Sequence, residues 1–101
     1  MGKILQINYQ LKSSVTDFLN AAEPVANLIA SVEGLRWKIW LKNEVANEGG
    51  GIYLFDSESA LQNFLSGPII EKLKSNPEIT SVSAKIFDVP QELSAMTKAP
   101  V

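Results

Sequence analysis

The spacing of apolar residues switches from period two to period 3.6 and back, twice, within 101 residues. Residues 3–11 alternate, with Leu5, Ile7, Tyr9 and Leu11 on one side and Gln6, Asn8 and Gln10 on the other, the pattern of a half-buried strand. Ser13 and Ser14 then offer an N-cap. From Val15 to Val32 the apolar positions (Val15, Phe18, Ala22, Val25, Ile29, Val32) recur at helical spacing. Pro24 has no N–H to donate, so it either kinks that helix or marks where its regular part starts. Gly34 supplies the left-handed residue that favours a helix end. Leu35–Leu41 reads as a second strand, with Leu35, Trp37, Ile39 and Leu41 toward the helices and Arg36, Lys38, Trp40 and Lys42 on the reverse. Residues 43–51 read as a polar connection ending in three glycines, and Ile52–Phe55 as a short third strand. Ser57 opens a second helical stretch through Leu61 and Phe64. Gly67-Pro68 breaks or restarts it, and Ile69, Ile70 and Leu73 continue the stripe. After a turn at Asn76-Pro77, Ile79–Val89 forms a fourth strand, with Val82, Ala84 and Ile86 opposite Ser83, Lys85 and Phe87. Residues 90–101 read as a short tail with at most one helical turn.

This order predicts one α+β domain over residues 1–101, a ferredoxin-like β-α-β-β-α-β unit. Its four-stranded antiparallel sheet carries both helices on one face. The other face has no cover within the chain and is expected to show Trp40, Phe87 and one of Tyr53 or Phe55. Aromatics at that density mark an interaction surface, and a second copy related by a two-fold axis is the expected cover.

Composition narrows the chemistry. Hydrophobic residues make up 46% and charged residues 20%, ordinary for a folded domain, and the net charge of -2 gives no field to attract nucleic acid or an anionic membrane. The chain has no Cys and no His. That removes thiolate metal sites, the thiol nucleophile and the commonest general base, so no metal and no cofactor is expected. The first residues enter a strand without an apolar leader, and no apolar run approaches the roughly 20 residues of a membrane helix. A cytoplasmic protein without a membrane partner is expected.

Three segments carry a resemblance: Trp37-Lys38-Ile39-Trp40, then Gly50-Gly51-Ile52-Tyr53-Leu54-Phe55, then Ala84-Lys85-Ile86-Phe87-Asp88-Val89. With Pro24 and Gly34 they make the chain similar, from about residue 3 to residue 94, to the small YdhR-type monooxygenase family. That family belongs to the dimeric α/β-barrel superfamily and is related to the quinol and antibiotic-biosynthesis monooxygenases. Its activity is largely inferred from those relatives. The resemblance implies a homodimer closed through the open sheet faces. It also implies a cofactor-independent monooxygenase that oxidises a small quinol- or anthrone-like aromatic with O2. Some relatives use a His, and this sequence departs from them.

For such chemistry the protein supplies a dry pocket, a stabiliser for the substrate anion and a proton acceptor or donor. Trp37, read as facing the helices, is a candidate to stack on a planar substrate, with plain core packing as the alternative. Tyr53 and Tyr9 offer hydroxyls to a phenolate, although buried tyrosines commonly satisfy a backbone carbonyl. Tyr53 and Trp37 are the candidate catalytic residues. Tyr9, Trp37, Trp40, Tyr53, Arg36 and Lys38 are the candidate substrate contacts. Arg36, Lys38 and Lys85 form the only basic concentration and are candidates to hold an anion, or else to pair with nearby carboxylates. Gly49-Gly50-Gly51 lacks the continuation of a phosphate loop and reads as a flexible hairpin or entrance loop. The alternatives are a non-catalytic dimeric module that binds a small molecule, and a structural dimer with a filled core.

Overall fold

In the computed structural model, which describes residues 2–101, the chain starts with strand β1 (Lys3–Leu11). Its alternate residues Leu5, Ile7, Tyr9 and Leu11 are buried. The hydroxyl of Ser14 accepts the Asp17 N–H and caps α1 (Val15–Asn20). A break at Ala21–Ala22 separates α1 from α2 (Glu23–Ala30), with Pro24 in the first turn of the new helix, where a missing N–H costs nothing. Gly34 has φ of +82° and leads into β2 (Leu35–Asn43). A Cβ there would overlap the Cβ of Ala60, so the turn packs directly on α3. Strand β3 (Glu48–Phe55) precedes α3 (Glu58–Leu65), which Ser57 caps by accepting the Ala60 N–H at 3.2 Å. Gly67-Pro68 restarts the chain as α4 (Pro68–Ser75), followed by β4 (Ile79–Asp88) and α5 (Gln91–Met96).

The strands lie in the order β2-β3-β1-β4 and every neighbouring pair is antiparallel, as the ferredoxin-like reading requires. The core forms where Val15, Ile29, Leu61, Phe64 and Ile70 of the helices meet Leu5, Ile7 and Tyr9 of β1. Burial of these side chains contributes about 1.5–3 kcal/mol each and holds the helices to this face.

Four expectations are corrected. The glycine run is not a loop: Gly49, Gly50 and Gly51 lie inside β3, paired with Tyr9, Asn8 and Ile7 of β1, and all three are buried. The faces of β2 are the reverse of the expected ones. Leu35 pairs with Phe55, but Trp37 pairs with Leu54, so Arg36 is an extra residue in the ladder. Beyond this bulge Lys38 and Trp40 pair with Tyr53 and Gly51 on the helix side, while Trp37 and Ile39 turn to the open side. Tyr53 and Phe55 are two apart on one strand, so both face the helices and both are buried. The tail contains a six-residue helix rather than a single turn at most.

Asn47, which the sequence reading passed over, ties the β2–β3 turn to the start of α1. It has φ of +52°. Its side-chain oxygen accepts the Val15 N–H at 2.8 Å, and its amide donates to the carbonyls of Leu11 at 2.9 Å and Ser13 at 2.7 Å. The open face of the sheet carries Trp37, Ile39, Leu54 and Phe87. The tail returns to this side, because the Trp37 indole N–H donates to the Pro100 carbonyl at 3.0 Å. Leu54 is fully buried although it points away from the helices, whereas Ile39 and Phe87 stay about half exposed.

Candidate active site on the helix side of the sheet

The glycines of β3 shape the candidate site. Gly49 and Gly51 project toward the helices and leave bare backbone there. The Tyr9 ring lies against Gly49, where a Cβ would sit 2.7 Å from Cε1. The Lys38 stem crosses Gly51, where a Cβ would sit 2.6 Å from Cε. With its stem lying in that groove, Lys38 brings Nζ to 3.3 Å from the centroid of the Trp40 ring and 4.6 Å from that of Tyr53. Tyr53 packs in turn on Phe64 at 5.1 Å between centroids, and Tyr9 on Phe18 at 5.6 Å. The result is an aromatic enclosure around one amine.

That amine has no counter-ion. Among the described residues the ion pairs are Lys3 with Asp88 and Glu58, Arg36 with Asp56, and Lys42 with Glu44, so no carboxylate lies within 4 Å of Lys38. Burial without a partner disfavours the charged form and brings the Lys38 ammonium down to about 7. The two ring faces pull the other way, by about 1–2 kcal/mol where desolvated, and offset only part of the cost of burying an unpaired cation. Burial also pushes both phenols up, Tyr53 further, mainly by its deeper burial and in smaller part by the neighbouring Tyr9. Near neutral pH the site thus holds a titrating amine between Trp40 and a tyrosine, Tyr53, that keeps its proton.

A cleft of about 240 Å³ opens onto this amine between α2 and the β2 edge, lined by Ala26, Ile29 and Ala30 and by Leu35–Lys38 and Trp40. A larger cleft of about 620 Å³ lies at the end of the sheet and reaches Phe64 from the other side. Its rim is Asp56, Ser57, Ser59 and Asn63, all exposed. Of the enclosure, Lys38 and Trp40 line the smaller cleft, with Tyr53 and Tyr9 buried behind them, and the candidate chemistry lies there. Of the residues read from the sequence, Tyr9, Lys38, Trp40 and Tyr53 come together. Trp37 borders the cleft at the β2 edge, but it pairs with Leu54 and its indole N–H reaches Pro100 on the open side of the sheet, which removes it as the helix-side stacking platform. Arg36 sits on the bulge, 3.6 Å from Asp56, and Lys85 pairs across the open face with Gln6, so the expected basic cluster does not form. No group of three or more Asp, Glu, His or Cys among the described residues is placed to hold a metal ion.

A ferredoxin-like sheet with an aromatic cleft under its helices defines the class, and comparison with known proteins gives the family. Across residues 4–100 the chain matches the family described as "Putative mono-oxygenase ydhR", and it belongs to that family. It is similar in structure to SnoaB, a cofactor-independent oxygenase from Streptomyces nogalater, with a TM-score of 0.71 and 13% identity over 89% of this chain and 94% of that one. It is also similar to a monooxygenase from the gene ActVA-Orf6 of Streptomyces coelicolor in complex with nanaomycin D, with a TM-score of 0.69 and 16% identity over 87% of each chain. A third neighbour is NE2512, a protein of unknown function from Nitrosomonas europaea, with a TM-score of 0.69 and 22% identity over 88% of this chain and 89% of that one. At such identities the likeness shows a shared fold. None of the curated proteins matches the chain. No helix among the described residues is long and apolar enough to cross a membrane.

Proposed function

We propose that this chain is a cofactor-independent monooxygenase that oxidises a small quinol- or anthrone-like aromatic with O2 in the cleft beside Lys38. The observation that carries the reading is the amine held without a counter-ion between the ring faces of Trp40 and Tyr53. Trp40 and Lys38 both line the cleft, so a planar substrate entering it packs against the Trp40 indole with the Lys38 amine as its polar neighbour, while Tyr53 stays buried behind the amine. The cleft lies just below the ~300 Å³ lower end of ordinary ligand sites, which favours a one- or two-ring quinol over a three-ring anthrone.

The reaction needs nothing beyond substrate and O2. For 1,4-dihydroxynaphthalene, a phenolic O–H is ionised and the anion passes one electron to O2. Superoxide and the semiquinone radical then join at a ring carbon to form a C–O bond. The resulting hydroperoxide loses water as its O–O bond and the ring C–H bond break. The product is 2-hydroxy-1,4-naphthoquinone, with one oxygen atom of O2 in the ring and the other in water. The protein's part is to exclude solvent, hold the ring flat and stabilise the anion, which lowers the barrier to the first electron transfer.

The reading includes a homodimer formed through the open sheet face, where Ile39 and Phe87 offer half-exposed apolar surface. A cytoplasmic location belongs to the same reading.

The test is O2 uptake with 1,4-dihydroxynaphthalene in chelator-treated buffer, compared with the uncatalysed rate, using labelled oxygen to follow the inserted atom. Enzymatic incorporation of one labelled oxygen into the ring is expected. Trp40→Ala is expected to lower kcat/KM about tenfold, the scale of one lost stacking contact. Ligand-induced stabilisation without turnover, across quinols and anthrone alike, would instead make the chain a binding module.

A further inference from the structure

We propose that Lys38 is the proton acceptor of the site: its neutral amine takes the phenolic proton of the substrate and stays beside the phenolate as an ammonium. The assignment rests on the oxygenase reading only for the later O2 step, since ionising a bound phenol needs no turnover.

Three observations converge on it. The stem of Lys38 is seated over Gly51, which fixes the position of the half-buried side chain and its amine. Its Nζ lies 3.3 Å from the Trp40 ring centroid, and both residues line the cleft, so a phenol that enters the cleft meets the amine beside the indole. Every other group around it is unsuited to accept a proton. Tyr53 on β3 and Tyr9 on β1 are phenols that burial keeps protonated. Arg36 on its own strand is a permanent cation turned to Asp56. The α2 wall contributes Ala26, Ile29 and Ala30. Helix α1 sends Phe18 toward Tyr9 while its Asp17 is exposed, and α3 sends Phe64 onto Tyr53.

The chemistry follows from the charge balance. A neutral amine and a neutral phenol enter one poorly solvated site, and proton transfer converts them into a contact ion pair. The phenol titrates above the free amine, so the transfer is driven by the contact ion pair itself: the anion raises Lys38 and the new cation lowers the phenol, with no net charge buried. An ammonium protonated beforehand could stabilise an anion but could not accept a proton. Burial places Lys38 at about 7, so the accepting form is present at ordinary pH.

Arginine and methionine variants separate these roles, with 2-naphthol as the probe because it remains un-ionised in buffer at pH 8. The wild-type protein is expected to bind it with the absorption spectrum of the naphtholate and to release no proton to the buffer. Lys38→Met and Lys38→Arg are expected to bind it as the neutral phenol, although Lys38→Arg keeps a cation. With 1,4-dihydroxynaphthalene both variants are expected to lose roughly 10²-fold or more in kcat, and to lose the rise of kcat/KM centred near pH 7. An NMR titration of the lysine side chains, with Lys38 assigned from Lys38→Met, reads the amine itself without any ligand.

Titration of Lys38 in the ordinary range above pH 10 would overturn the assignment. So would naphtholate formation in Lys38→Arg, or neutral 2-naphthol bound to the wild type. The two proposals fail separately. Naphtholate formed without O2 uptake from any quinol removes the oxygenase reading and leaves the base. O2 uptake that survives in Lys38→Met removes the base and leaves the oxygenase.

Discussion

Lys38→Met is expected to be more stable than the parent protein at pH 6, and its advantage is expected to shrink steadily as the pH rises from 7 toward 10.5. An unfolded chain holds a proton on this lysine until about 10.5, whereas the folded chain releases it near 7. Between those values the unfolded state binds more protons, so the stability of the parent rises with pH through that window. Below it both states are protonated, and the folded state carries the full cost of a buried, unpaired ammonium. At about 1.4 kcal/mol per pK unit that cost is at most on the order of 3–5 kcal/mol, and the solvent that reaches this half-buried side chain screens part of it. Methionine keeps most of the stem that covers Gly51 and removes the charge. Urea unfolding of both proteins at intervals from pH 6 to pH 10.5 provides the check. A constant difference across the range would mean that Lys38 is solvated and ordinary.

Gly50→Ala is expected to be the opposite kind of variant, costing about 3 kcal/mol or more at every pH. Gly50 points to the open face, away from the amine, and its added Cβ would overlap the Ile7 carbonyl oxygen of the neighbouring strand. Backbone cannot swing aside as a side chain can, so β1 and β3 would have to separate at the centre of the sheet. Gly51→Ala makes the useful comparison. Its Cβ would meet the flexible end of Lys38, at 2.6 Å from Cε, and that chain can be displaced. Gly51→Ala is therefore expected to evict the amine and restore its ordinary titration with a smaller loss of stability. Thermal denaturation of the two variants, alongside the lysine titration, separates a sheet defect from a site defect.

The contrast between neighbouring glycines also shows what the sequence conceals. The alternation in β1, the serine caps and the restart at Gly67-Pro68 are local rules, and local rules can be read from one chain. The faces of β2 depend on a bulge at Arg36 that nothing in Leu35-Arg36-Trp37 announces. A single unpaired residue reverses every side chain after it, so a period-two reading begun at Leu35 put Trp37 where Trp40 belongs. The glycines were misplaced for a related reason. Glycine is a poor strand former by itself, and it is favoured in β3 because Tyr9 and Lys38 lie over it from adjacent strands. One signal was available: large side chains need bare backbone across from them, and a run of three glycines beside a hairpin offers it. Tyr9, Tyr53, Trp40 and Lys38 were all legible as candidates, but their meeting on one face was not. The amine's missing counter-ion is a property of three-dimensional packing and has no trace in composition.

The central claim is that ligands bind on the helix side of the sheet, against Trp40. The two tryptophans lie on opposite faces, so the claim can be read from their fluorescence in single-tryptophan variants, titrated with 2-hydroxy-1,4-naphthoquinone as quencher. Trp37→Phe, in which Trp40 alone emits, is expected to show saturable quenching with the parent's affinity. Trp40→Phe, in which Trp37 alone emits, is expected to show much shallower quenching, because the Trp37 indole turns to the open side of the sheet. Saturable quenching confined to Trp40→Phe would put the ligand on the open face and contradict the site, and the absence of saturable quenching in both variants and in the parent would contradict binding altogether.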